Sequence, residues 1–149
     1  MQLLTILFIL LLLYLTYHDW KSRSVYWVVF PLLFGLNLYL NSNNDNLFFT
    51  YLQNMFIVLL QVASILVYLK IKGYKPSELF SKYFGLGDVL FLGVLGLSFT
   101  TEHFLLFNIF SLIGAIGLSL ILKLKTIPFA GIQSALLSGY ILYNNFLSW

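Results

Sequence analysis

Residues 89–122 read VLFLGVLGLSFTTEHFLLFNIFSLIGAIGLSLIL, and how often this stretch crosses a bilayer decides the fold. As one helix it would be about 50 Å long at about 1.5 Å per residue, whereas a spanning helix needs about 20 apolar residues. Thr100-Thr101-Glu102-His103 is its polar interruption. The chain is therefore expected to turn there, with one helix over about Phe84 to Phe99 and the next over Phe104 to Leu122. Outward from this pair, Leu3 to Tyr17, Val25 to Leu40 and Leu47 to Leu69 precede it as apolar runs, and Ile127 to Trp149 follows. The expectation is an all-α polytopic protein of six transmembrane helices, folded as a single membrane-embedded domain over residues 1–149.

Composition points the same way. With 60% hydrophobic and 9% charged residues and a mean hydropathy of +0.93, most of the chain cannot face water. The net charge of +3 does not signal a nucleic-acid partner, because all eight Lys and Arg residues lie in short loops beside apolar runs. Lys21 and Arg23 fall between the first two runs, Lys70, Lys72, Lys75 and Lys82 between the third and fourth, and Lys123 and Lys125 between the fifth and sixth. The alternate connections, Asn41 to Asn46 and Thr100 to His103, carry neither Lys nor Arg. By the positive-inside rule the basic loops are cytoplasmic and both termini face outward, with membrane lipid as the surrounding partner. Cysteine is absent, which excludes disulfides, thiolate metal sites and a cysteine nucleophile. The first run is read as a helix rather than a signal peptide: no basic segment precedes it, and His18-Asp19-Trp20-Lys21 is not a small-residue cleavage site.

Two carboxylates stand at run ends on the basic side, Asp19 and the Asp88 of Gly85-Leu86-Gly87-Asp88. An ionisable group next to hydrocarbon is costly enough that function is its default explanation. Two carboxyls placed close together share a proton, giving one ionised group to activate water and one protonated group to polarise a peptide carbonyl. Gly85 and Gly87 are expected to permit both close backbone approach and dihedrals closed to other residues, so that the chain presents Asp88 inward. Two other readings stay open on these residues. One is interfacial ion pairing of Asp19 with Lys21 or Arg23 and of Asp88 with Lys82; the other is the proton relay of a small carrier, although the helix interiors hold no acidic residue.

No metal or cofactor is expected, since no H-E-x-x-H or similar ligand spacing occurs. His18 cannot face Asp19 from the adjacent helical position, Glu78 reads as a solvated charge, and Glu102 and His103 belong to the opposite side. Gly131, Ala135 and Gly139, Gly93 and Gly96, and Ser111, Gly114 and Gly117 form small-residue stripes expected to let helices approach closely, with a substrate groove beside Gly93 and Gly96 as the alternative. Pro128 suits the first turn of the last helix, and Pro31 is expected to kink the second. Helix dipoles favour charge on Asp88, at a helix start, over Asp19, at a helix end, so Asp88 is expected to be the base and Asp19 the acid.

At this point three segments together resemble the type IV prepilin peptidases and the archaeal preflagellin peptidases, membrane aspartic proteases of the G-x-G-D type. They are Asp19-Trp20-Lys21-Ser22-Arg23-Ser24-Val25, Phe84-Gly85-Leu86-Gly87-Asp88-Val89 and Ile127-Pro128-Phe129-Ala130-Gly131. The resemblance implies an endopeptidase of the cytoplasmic membrane that removes a short basic leader from pilin-like precursors on the cytoplasmic side, in association with pilus or secretion machinery. It implies that Asp19 and Asp88 are catalytic, with no cofactor; Lys21, Arg23, Gly93 and Pro128 are the candidate substrate contacts. The chain has Val25-Tyr26-Trp27 where family members commonly have Ile-Pro-Asn, and Leu90 where they often have lysine. It also lacks the cysteine-bearing region of larger members, and so resembles the minimal, peptidase-only forms. The alternative is a non-enzymatic relative that binds such precursors without cleaving them.

Overall fold

The computed structural model describes residues 2–22, 26–73, 85–123 and 128–147, and no strand occurs among them. The helices are α1 (Gln2–Ser22), α2 (Val29–Leu40), α3 (Leu47–Ile71), α4 (Leu86–Leu95), α5 (Thr101–Leu122) and α6 (Phe129–Leu142), the last running into a π-helical turn at Tyr143–Leu147. Three of them, α1, α3 and α5, are long and apolar enough to cross a membrane. Helices α2 and α4 have 12 and 10 residues. At about 1.5 Å per residue they cover roughly half of a hydrocarbon core of about 30 Å.

The helices form two four-membered rings that share the α4–α6 pair. Helix α1 packs on α6 and α2, α2 on α4, and α4 on α6; on the other side α3 packs on α4 and α5, and α5 on α6. Phe8, Leu12, Leu15, Leu33, Phe91, Leu95, Phe104 and Leu137 fill the interior. Leu10, Phe48, Phe56, Phe110, Ile113 and Leu120 point outward, the inverse of a water-soluble pattern and the one a lipid-facing bundle requires.

Residues 89–122 divide into two helices, but the break comes earlier than the polar quartet suggests. Helix α4 ends at Leu95, and Gly96 to Ser98 close as looser turns. Thr100 is the N-cap of α5, with extended backbone (φ −62°, ψ 158°); its carbonyl accepts the Phe104 N–H at 2.8 Å and its hydroxyl meets His103 Nδ1 at 2.8 Å. The polar residues are thus the cap and first turn of a helix, where side-chain oxygens are favoured, rather than a loop.

A buried helix end leaves carbonyls that must find donors within the protein. Asn54 of α3 donates from Nδ2 to the carbonyls of Gly96 (2.9 Å) and Phe99 (3.0 Å), and Asn37 of α2 donates to the carbonyl of Val94 (2.8 Å) and to Ser98 Oγ (2.7 Å). Gly96 makes this approach feasible, because a Cβ there would lie 2.5 Å from Met55 Cε. The other small-residue positions behave differently: around Gly93, Gly114, Gly117 and Gly139 a Cβ would meet nothing within 4 Å. Close helix packing is therefore a property of Gly96 and Gly131 rather than of the stripes as a whole. Pro31 does not kink α2 either. That helix starts at Val29, so Pro31 falls in its first turn, where an absent N–H leaves no intrahelical bond unmade.

Candidate active site

Asp88 occupies the third position of α4, after Gly85 as N-cap. Its Oδ2 accepts the Gly85 N–H at 3.0 Å, while its own N–H donates to the Gly85 carbonyl at 3.0 Å. This is a capping box closed by main chain on the glycine side. Glycine at position 85 serves space rather than backbone freedom: its φ is −66°, open to any residue, but a Cβ would stand 3.2 Å from Asp88 Oδ2. At Gly87 a Cβ would make only ordinary contact, 3.6 Å from Phe30 Cζ. The expectation that both glycines supply unusual dihedrals is thus corrected.

The second Asp88 oxygen, Oδ1, accepts the Ala130 N–H at 2.8 Å. Asp19, in the last turn of α1 and only 9% exposed, accepts the next amide along, Gly131 N–H, at 2.7 Å through Oδ2. Both bonds arise from how α6 begins. Pro128 is its buried N-cap (φ −78°, ψ 73°), and the amides that follow have no carbonyl one turn earlier to bond. Two successive amides of that turn are taken by two carboxylates from helices distant in the chain. Adjacent helical nitrogens lie roughly 3 Å apart, so the two accepting oxygens are within about 8 Å of each other.

The electrostatics follow from the same turn. Amides at a helix start favour negative charge, by up to roughly 2 kcal/mol when partly buried. Asp19 sits at the unfavourable end of α1 but receives an amide from the favourable end of α6, as Asp88 does, so the α6 turn offsets the position of Asp19 while the difference between the ends of α1 and α4 remains. Gly131 is indispensable to this contact. A Cβ there would come 2.9 Å from Asp19 Oδ2 and 3.1 Å from both Asp19 Cβ and Trp20 Cδ1.

The remaining candidates are dispersed. Lys21 is exposed and turns back along α1, donating to Tyr17 Oη at 3.1 Å with its Nζ 5.4 Å from that ring. Gly93 lies on α4 beyond Asp88, half-buried beside open space. Arg23, Glu78 and Lys82 lie outside the described residues. His18 stacks between Tyr14 (4.8 Å) and Tyr26 (5.4 Å), joining the end of α1 to the approach of α2. Glu102 and His103 are exposed in the first turn of α5, beside the carboxyl-terminal side of α4 and not its start.

Ala130 and Gly131, which act through main-chain N–H groups, were not among the candidates read from sequence. Their signal in the sequence is the Ile127-Pro128-Phe129-Ala130-Gly131 segment, which resembles the family turn and opens a helix but names no side chain for the site. The buried polar seam deeper in the bundle also had no periodic signature: Thr16 and Ser134 meet at 2.8 Å between α1 and α6, and Gln133 of α6 donates to Asn108 Oδ1 (3.1 Å) and Ser111 Oγ (3.0 Å) of α5.

The sequence profile of the type IV leader peptidase family matches residues 6–122, which include Asp19 and Asp88 and stop short of α6. No curated protein and no solved structure matches the chain with significance. The extent of the profile match, covering most of the chain, decides the assignment: the chain belongs to the type IV leader peptidase family, a family of peptidases.

Proposed function

We propose that this protein is a membrane aspartic endopeptidase that removes the leader peptide of pilin-like precursors, with Asp19 and Asp88 as its catalytic pair. The observation that carries the reading is the seating of both carboxylates on the successive Ala130 and Gly131 amides. In the resting enzyme one carboxyl holds a proton and the other is ionised. The ionised group takes a proton from water as its oxygen attacks the scissile carbonyl, and the protonated group donates to that carbonyl oxygen. Collapse of the tetrahedral intermediate expels the amine, which takes up a proton from the dyad. The amides of α6 hold the two carboxylates in place throughout.

The pair faces the cytoplasm in this reading, supported by the position of Lys70, Lys72 and Lys123 at the ends of α3 and α5 and of Lys21 beside Asp19. The chain forms one domain of the cytoplasmic membrane and crosses it six times with both termini outside, α4 completing its crossing through the Gly96–Ser98 turn. The open space beside Gly93 admits the extended segment around the scissile bond in this reading, and Lys21, Arg23 and Pro128 are its further candidate substrate contacts. The substrate is a precursor with a short basic leader, delivered to pilus or secretion machinery after cleavage. A proton carrier is disfavoured because Asp19, Asp45, Asp88 and Glu102 all stand in loops or terminal turns of helices. Co-expression with pilin-like precursors, with the new N-terminus read by mass spectrometry, tests the reading: a single internal cut after the basic leader is expected, and precursors left intact by correctly inserted protein would refute it.

A further inference from the structure

We infer that Gln133 is a positioning residue for the Asp19–Asp88 pair, an inference that rests on the proposed peptidase function. The dyad is seated on the first turn of α6, so its geometry depends on how α6 is rotated about its own axis. Apolar packing in lipid resists such rotation weakly, because one methyl-lined face substitutes for another; hydrogen bonds between helices have direction and do not. Helix α6 has few of these. Ser134 meets Thr16 of α1 at 2.8 Å, and Gln133, 0% exposed, directs both hydrogens of Nε2 at α5, to Asn108 Oδ1 (3.1 Å) and Ser111 Oγ (3.0 Å). Asn108 in turn reaches Gln61 of α3 at 3.4 Å. Gln133 is thus the link from the dyad's seat to the α3–α5 half of the bundle.

The other end of the same side chain carries a cost to folding. Gln133 Oε1 is buried without a hydrogen-bond partner among the described residues. A buried acceptor left unsatisfied is a net cost to the folded state. An apolar residue of similar volume would remove that cost but leave Asn108 Oδ1 without its donor, so what glutamine contributes lies in the two directed bonds of Nε2. Those bonds hold the Ala130 and Gly131 amides, less than one turn away, in register with the carboxylates of α4 and α1.

The test uses Gln133→Met, which keeps volume and removes the donors, in the full-length protein. Because the chain lacks cysteine, Thr16→Cys with Ser134→Cys supplies a clean reporter of α6 rotation through the rate of disulfide formation. With Gln133→Met we expect a kcat for precursor cleavage lower by about 10- to 100-fold, the range for a misplaced catalytic geometry. KM should stay within about twofold and disulfide formation should slow at least several-fold, while thermal stability should fall only modestly, through the Asn108 Oδ1 acceptor that loses its donor. Ser111→Ala, which removes one acceptor, should lower kcat by a smaller factor and covers the case in which the methionine variant fails to insert. Wild-type kcat together with a wild-type disulfide rate in either variant would overturn the inference. The disulfide rate needs no substrate: if the unaltered enzyme cleaves no precursor, the peptidase reading fails while that rate still decides whether Gln133 sets the rotation of α6.

Discussion

Asp19 and Gly131, 112 positions apart, are joined by a 2.7 Å hydrogen bond, and a Cβ on the glycine would come within 3.1 Å of Asp19 and Trp20. The contact ties the end of the first helix to the start of the last. Since Asp88 takes the neighbouring amide, the first turn of α6 is a common seat for both carboxylates.

Gly131→Ala should therefore be far more damaging than one methyl group suggests. Its Cβ would sit within 3.1 Å of Asp19 Oδ2, Asp19 Cβ and Trp20 Cδ1, so the helices must separate. We expect precursor cleavage to fall by about 100-fold and stability by about 1–3 kcal/mol. Gly117→Ala, facing open space, should instead stabilise by about 0.5–1 kcal/mol through helix propensity alone. Thermal unfolding in detergent, run beside a cleavage assay, checks both; equal effects of the two substitutions would show that α6 does not approach α1 this closely.

Asn54 should behave as a structural cap remote from chemistry. Asn54→Leu leaves the Gly96 and Phe99 carbonyls without their donor at membrane depth. A loss of about 1–3 kcal/mol is expected for groups stranded in this way. Unfolding midpoints measure it, and an unchanged midpoint would mean that water or lipid headgroups reach the end of α4.

Membrane sidedness can be read by thiol labelling without removing any native cysteine. Single cysteines at Asn43 and Lys72, both exposed, should label from opposite faces, Asn43→Cys from outside intact cells and Lys72→Cys after permeabilisation only. Strong outside labelling at position 72 would place the basic loops, and the dyad with them, on the wrong side for a cytoplasmic leader.

The helical class and the division of residues 89–122 were legible in the sequence, because hydrophobic runs leave a mark in composition, and isolated carboxylates at run ends drew attention to Asp19 and Asp88, which the structure seats on successive amides of α6. What was not legible acts through the main chain or through shape. The amides of Ala130 and Gly131 belong to no side chain, and a helix start advertises itself only through Pro128. The earlier end of α4 depends on Asn37 and Asn54, whose amides satisfy carbonyls from other helices, and no periodicity reports that. The glycine stripes misled for a related reason: spacing on one helix says that a face is small, while only the neighbouring helix decides whether anything packs against it, as Gly96 against Met55 and Gly139 against nothing show. Polar Thr100 to His103 resembled a loop because capping residues and loop residues are the same types.

The most direct measurement is precursor cleavage by Asp19→Asn, Asp88→Asn and the double variant, each shown to be inserted in the membrane. Asparagine keeps an acceptor for the Gly131 or Ala130 amide and removes the capacity to hold or take a proton, so folding should survive and chemistry should not. Each single variant should lose cleavage by several orders of magnitude and the double should be hardly worse, because groups that act as a unit lose their effect together. Substantial turnover by either single variant would contradict a shared-proton dyad of Asp19 and Asp88.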